Sequence, residues 1–240
     1  MENMLAARPL LAIALDLDDT LWPVKPTLIR AEQTLARWLA ERAPRTAALL
    51  TPEIRLAIRD QLLAEHPLRA HDMSFVRRES LRRALHAAGE DPALAEPAFE
   101  AFLSARQKVT LYDDVEPVLE RWSQRYPLIV VSNGNADVDR VGIGRFFAAR
   151  VHAHELGFAK PDPRIFLEAC ARVGVEPAAV LHVGDDLDLD VRGARQAGLG
   201  AAWIRRPDLA GPAAVDVGEP GEWRAFDSLD SLDAALGGSP

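Results

Sequence analysis

The stretch LLAIALDLDDTLWPV, residues 10–24, decides the fold. Six apolar residues, Leu10 to Leu15, are followed by three aspartates within four positions: Asp16, Asp18 and Asp19. A short apolar run that stops at polar residues reads as a buried strand. Carboxylates crowded at its end repel one another and resist burial. Something must compensate them, and a cation or a reaction is the usual reason.

Working outward from that strand, residues 22–108 read as four helices. PTLIRAEQTLARWLAERA is amphipathic, with Leu28, Leu35, Trp38 and Leu39 on one side, and Pro44 ends it. TPEIRLAIRDQLLAEH opens with Thr51 as N-cap and Pro52 at the first helical position. DMSFVRRESLRRALHAAG starts at Asp72 and stops at Gly89, and EPAFEAFLSARQ is the fourth.

After residue 108 the texture changes. Strands PLIVVSN, RVHAHEL, AAVLHVGDD and GAAWIRR alternate with helices DDVEPVLERWSQRY, DPRIFLEACARVG and LDVRGARQAG. Alternation of this kind means a parallel sheet with crossover helices. The expected fold is therefore α/β: a doubly wound parallel sheet built from residues 1–21 and 109–240. An all-helical four-helix bundle, residues 22–108, is inserted into it. Residues 205–223 read as a Pro/Gly-rich loop, and FDSLDSLDAAL as a last short helix.

Composition narrows the classes. The 240 residues are 48% apolar and 27% charged, with no apolar run of the roughly 18 residues that a membrane span needs. The N-terminal segment reads as strand rather than signal peptide. A net charge of −8 without a Lys/Arg block argues against a nucleic-acid partner. A single cysteine, Cys170 among apolar helical neighbours, reads as a structural thiol and fits a cytoplasmic protein. The expected assembly is a monomer or homodimer.

In open α/β sheets, ligands bind at the carboxyl ends of strands. Here those ends read DLDDT, SNGN and GDDLDLD, with GFAKPDP before the helix at 162–174. Together they bring carboxylates, a hydroxyl and a lysine to one edge, a set suited to a cation and a phosphate.

These four segments, in this order, resemble the motifs of the haloacid dehalogenase superfamily of hydrolases. The likeness is to its branch with a helical cap after the first motif, and it covers nearly the whole chain. The resemblance implies a Rossmann-like core, Asp16 as nucleophile and Asp18 as general acid and base. It places Ser132 and Lys160 on the phosphate and in catalysis. Mg²⁺ would be held by Asp16, Asp185 and the backbone carbonyl of Asp18, leaving open whether Asp186 or Asp190 assists. An aspartyl-phosphate on Asp16 would split one displacement into two easier ones, and Mg²⁺ suits hard oxygen ligands. Asn133 and Trp22 are further candidates for touching the substrate, with a hinge-packing role the other reading of Trp22.

The implied activity is a phosphatase acting on a small phosphorylated metabolite, of the nucleoside monophosphate or sugar phosphate class. Two rivals use the same fold, a 2-haloacid dehalogenase and a non-catalytic binding protein. Asp186 and Asp188 also read as N-terminal helix acids. His152 and His154 read as packed or solvated rather than as a metal pair, and His182 as structural.

Overall fold

The computed structural model describes residues 9–207 and 224–237. The chain forms two compact units. One runs up to Pro23 and resumes at Thr110; the other is Val24–Val109. Trp22 thus belongs with the first strand, not with the helical insert.

The first unit begins with β1 (Ala12–Leu15), whose four residues are all buried. The chain then passes into the helical unit: α1 (Val24–Arg42), α2 (Pro44–Leu49), α3 (Pro52–Glu65), α4 (Met73–Ala87) and α5 (Ala95–Arg106). Four long helices occur where the hydrophobic pattern places them. The short α2 makes a fifth, so the expected four-helix bundle is corrected. Pro44 does end α1, but its fixed φ also suits the first position of the next helix, and α2 starts on it. Thr27, Ala31, Leu35 and Leu39, spaced by four, form the buried stripe of α1. Ala31, Leu35 and Leu39 share a core with Leu81 and Leu85 of α4 and with Ala98, Phe99 and Phe102 of α5. Asp72 caps α4 by accepting from the Phe75 N–H at 2.8 Å, and Gly89 ends it at φ +68°.

The first unit continues with α6 (Val115–Ser123), β2 (Leu128–Ser132), α7 (Val138–Val141), β3 (Phe147–His152), α8 (Ala153–Leu156) and α9 (Pro163–Val173). Next come β4 (Val180–Gly184), a π-helical turn (Leu187–Arg192), α10 (Gly193–Gln196), β5 (Gly200–Ile204), β6 (Arg224–Phe226) and α11 (Leu229–Ala235). The sheet order is β3-β2-β1-β4-β5-β6. Every pairing is parallel. β1 lies between β2 and β4, so the strand order reverses around it and a crevice opens at its carboxyl end. Ala12 and Ala14 of β1 pack with Ile165, Phe166 and Ala169 of α9, while Ile13 and Leu15 are equally buried. Both faces are therefore covered, as parallel sheets require.

Three local readings are corrected. RVHAHEL is strand only to His152; residues 153–156 turn into α8, which Gly157 stops at φ +82°. LDVRGARQAG is split between the π-helical turn and α10. An unexpected edge strand, β6, precedes the last helix. The expected loop lies, from residue 208 to 223, outside the described residues. Cys170 is buried, and burial pushes its thiol up to about 11, which suits packing rather than attack.

The C-terminal helix docks through one carboxylate. Asp233 is buried and accepts from Trp122 Nε1 at 2.8 Å and from Arg121 Nε at 2.7 Å. Removing it leaves a buried indole N–H unpaired. Asp233→Ala should lower the unfolding free energy by about 2–3 kcal/mol, read by urea denaturation. A loss within experimental error would mean that α11 is held by its apolar residues alone.

Candidate active site

The site assembles at the carboxyl ends of β1, β2 and β4. Asp16 follows β1 and is still in the sheet ladder, its N–H donating to Val183 O at 2.9 Å. Ser132 is the last residue of β2, and Asp185 follows β4. Lys160 lies between α8 and α9 and is buried. Its ammonium group is hydrogen-bonded to Asp16 Oδ1 and, at 2.6 Å, to Asp190 Oδ1. The charge logic is mutual. Burial alone would lower the Lys160 pKa, but the two carboxylates hold it above its ordinary value. Burial would raise Asp190, but Lys160 and His182 hold it below the usual carboxylate range. Asp16 goes the other way: burial pushes it up, and Lys160 opposes this only in part, with the Asp190 and Asp185 carboxylates adding to the rise.

Carboxylate oxygens of Asp16, Asp185 and Asp190 lie within 4.8 Å of one another, the one such cluster among the described residues. Three carboxylates against one ammonium leave negative charge uncompensated in a partly dry site. A divalent cation that prefers hard oxygen ligands fits this set. Asp190 has both oxygens engaged: Oδ1 by Lys160 and His182, Oδ2 by the Asp186 N–H at 3.1 Å. Among the described residues Asp185 accepts a side-chain bond from the Thr20 hydroxyl alone, at 3.1 Å, and keeps lone pairs free. Asp185 thus has the most lone-pair capacity left for a cation, while Asp190 anchors Lys160. Asp186 caps the π-helical turn, accepting from the Asp188 and Leu189 N–H groups at 2.8 Å each.

Asp18 does not continue the strand. β1 ends at Leu15, Leu17 is buried, and Asp19 adopts φ +58°, a left-handed conformation that Asp tolerates. Trp22, not strand alternation, orients Asp18: its indole N–H donates to Asp18 Oδ1 at 2.8 Å. Trp22 is fully buried, so the expectation that it touches substrate is corrected; it positions Asp18. The Asp18 carboxylate is not among the clustered oxygens. Asn133 is half-buried and spends one bond from each end of its amide on the protein. Its Oδ1 accepts from Lys160 N at 2.8 Å and its Nδ2 donates to Lys160 O at 3.0 Å, so the amide clamps the lysine's backbone. Ser132 is buried, and its Oγ accepts from Gly134 N at 3.0 Å.

Several supporting residues complete the site, and of these the sequence marked only His182, as structural. His182 Nε2 contacts Asp190 Oδ1 at 2.9 Å, and burial holds the ring's pKa below its ordinary value although Asp190 pulls it up. Gly184 makes room for Asp190: a Cβ there would meet Asp190 Cγ at 2.2 Å. Trp203 Nε1 donates to Asp185 O at 2.7 Å. Arg206 is buried and donates to Thr20 O through Nε (3.0 Å) and Nη2 (2.7 Å). Its Nη1 binds both oxygens of Asp114, at 2.9 and 2.7 Å. Asp114 in turn accepts the Leu229 N–H at 2.6 Å. A chain of buried bonds therefore runs from the start of α11 to the loop carrying Asp16 and Asp18. The one sequence signal for it is a basic residue just past a strand end, and Arg205 beside it shares that signal.

Residues 10–198 match the model of the haloacid dehalogenase-like hydrolases, and the chain belongs to that family. Over 198 residues it is 29% identical to 5-amino-6-(5-phospho-D-ribitylamino)uracil phosphatase YigB of Escherichia coli, spanning 81% of this chain and 83% of that one. It is 33% identical to glyceraldehyde 3-phosphate phosphatase of Methanopyrus kandleri, spanning 81% and 84%. Among solved structures, a 2-haloacid dehalogenase from Pseudomonas syringae superposes with a TM-score of 0.89 at 39% identity, covering 95% of this chain and 98% of that one. The protein is a hydrolase, and its curated relatives named here are phosphatases. No described helix is long and apolar enough to cross a membrane.

Asp185 gives a pH signature. Burial, then the Asp190 carboxylate, pushes it up to about 7. A raised acid pKa means that the folded state binds the proton more tightly than the unfolded chain does. Ionising Asp185 therefore costs folded-state stability as pH rises from the ordinary carboxylate range, about 4, toward 7. Without added cation, Asp185→Asn should gain stability over the parent across that window and hold the gain above it. Urea titrations at stepped pH measure the difference. A pH-independent difference would contradict the raised value.

Proposed function

We propose that the protein is a Mg²⁺-dependent phosphatase that hydrolyses a small phosphorylated metabolite through a phosphoryl group carried on Asp16. The observation that carries this reading is the buried lysine, held between two carboxylates, with a third carboxylate and, among the described residues, no second ammonium to balance it. Asp16 and Asp185, with the Asp18 carbonyl, would hold the cation. When bound, it would lower the repulsion between the carboxylates and a phosphate dianion.

The roles of the side chains follow. An oxygen of Asp16 forms a bond to phosphorus as the bond to the ester oxygen breaks. Asp18 gives its proton to that leaving oxygen. Water then attacks the phosphorus of the acyl phosphate and gives a proton to Asp18, which releases phosphate and restores Asp16. Lys160 and the Ser132 hydroxyl stabilise the charge on the transferring group. The helical unit, inserted directly after the loop bearing Asp16 and Asp18, serves in this reading as the cap that selects the leaving group. A nucleoside monophosphate or sugar phosphate is the substrate class. The names of the two curated relatives, a phosphoribitylamino compound and a triose phosphate, support its sugar-phosphate half.

The dehalogenase reading has one observation in its favour, the 39% identity to the Pseudomonas syringae structure. Against it, a halide leaves without a proton and needs no cation, which would leave Asp18 and Asp185 idle.

One assay separates the two: p-nitrophenyl phosphate hydrolysis beside halide release from 2-chloropropionate, each with Mg²⁺ and with EDTA. Phosphate release that requires Mg²⁺ is expected. Asp16→Asn should fold and lose nearly all turnover. Asp18→Asn should slow an alkyl phosphate by about 10²–10⁴ and the aryl ester less, because its leaving group needs little protonation. Halide release that is indifferent to EDTA would overturn the proposal.

A further inference from the structure

The helical unit encloses a cavity of about 280 Å³ between α1, α3 and α4. Leu35, Val76 and Leu81 form part of its lining and are buried. Met73, 46% exposed, also lines it and marks an open side. A volume near the lower end of ligand pockets, about 300 Å³, suits a small molecule.

The charged groups in its lining do not balance. One acidic residue, Glu32, lines it beside three arginines, Arg55, Arg59 and Arg77, of which Arg59 is exposed. Glu32 Oε2 takes Arg55 Nη1 at 3.0 Å, and Glu32 Oε1 takes Arg77 Nη1 at 2.7 Å. The Arg77 guanidinium also lies 3.8 Å from the centre of the Phe102 ring, and burial lowers its pKa despite Glu32. Arg55 spends Nε on Leu50 O at 3.2 Å and Nη1 on Glu32. Arg59 has no carboxylate partner among the described residues. Other acids of this unit are committed elsewhere: Glu65 pairs with Arg83, and Glu79 with Arg82 and Arg83. An acidic chain, net −8, thus gathers surplus positive charge around an apolar cavity.

We propose that this cavity, lined by residues of the helical unit alone, binds a small organic carboxylate with a short apolar chain. Glu32 supplies the template, since its planar two-oxygen group already bridges two of the guanidiniums. A ligand carboxylate would do the same for Arg59 and the remaining N–H groups of Arg55, while its hydrocarbon covers Leu35, Val76 and Leu81.

The test titrates the full-length protein with hexanoate, hexanamide and acetate, followed by calorimetry and by methyl NMR. Hexanoate should bind saturably at one site and shift the Leu35, Val76 and Leu81 methyls. Hexanamide, which keeps the shape but lacks the charge, should bind at least about tenfold more weakly, as should acetate, which lacks the chain. Arg59→Gln should weaken hexanoate by a similar factor without changing p-nitrophenyl phosphate hydrolysis. Ser80→Phe, which fills the cavity from its lining, should abolish binding. Asp16→Asn should bind hexanoate as the parent does, so the outcome does not depend on the phosphatase reading. Absence of saturable binding, equal binding of hexanamide, or loss of binding in Asp16→Asn would each overturn the proposal. The comparison of the three probes needs no variant to fold.

Discussion

The ammonium group of Lys160, buried between Asp16 and Asp190, is the constraint around which the α/β unit is arranged. A buried charge must be paired, and taking away one partner of such a pair costs about 3–5 kcal/mol. The surrounding residues read as the means of keeping the three groups in place. Asn133 holds the lysine's backbone by both ends of its amide. Gly184 yields the space that the Asp190 carboxylate fills, and His182 occupies one of its oxygens from within β4. None of these residues needs to meet a substrate. They set the charge state of those that do.

The sheet makes this arrangement accessible. β1 carries Asp16, its neighbour β2 ends in Ser132, and its other neighbour β4 leads into Asp185. Groups far apart in sequence converge because the strands are parallel and end together. The loop after β1 is then fixed from two directions. Trp22 holds the Asp18 carboxylate, and Arg206 holds the Thr20 carbonyl, while the Thr20 hydroxyl reaches Asp185. Through Asp114 the same arginine is tied to the first residue of α11. A helix with no residue in the site therefore bears on the loop that carries it.

What was legible in the sequence had a local cause. Apolar runs ending in Asp16 and Asp185, the Thr51 and Asp72 caps, and the Gly89 stop each act within a few residues, so pattern alone places them. The residues that escaped act across the chain. Asp190 stood as a possible helper in holding the cation, and only the fold brings Lys160, thirty residues away, onto it. Arg206 could not be told from Arg205 without the direction of its side chain. Trp22 and Asn133 stood beside motif residues and so suggested substrate contact. In the structure both use their polar atoms on the protein itself. β6 escaped because three residues, two of them exposed, carry too little pattern to announce a strand.

The account rests on Asp16 being a nucleophile toward phosphorus in a site that Lys160 and a cation make tolerable for a phosphate. Its most direct measurement is acid quench during steady-state hydrolysis of p-nitrophenyl phosphate with Mg²⁺, followed by peptide mass spectrometry. The account predicts a phosphoryl group on the peptide containing Asp16, located at that residue, and absent when EDTA replaces Mg²⁺. Steady turnover with no phosphorylated peptide, or with the phosphoryl group on another residue, would contradict it.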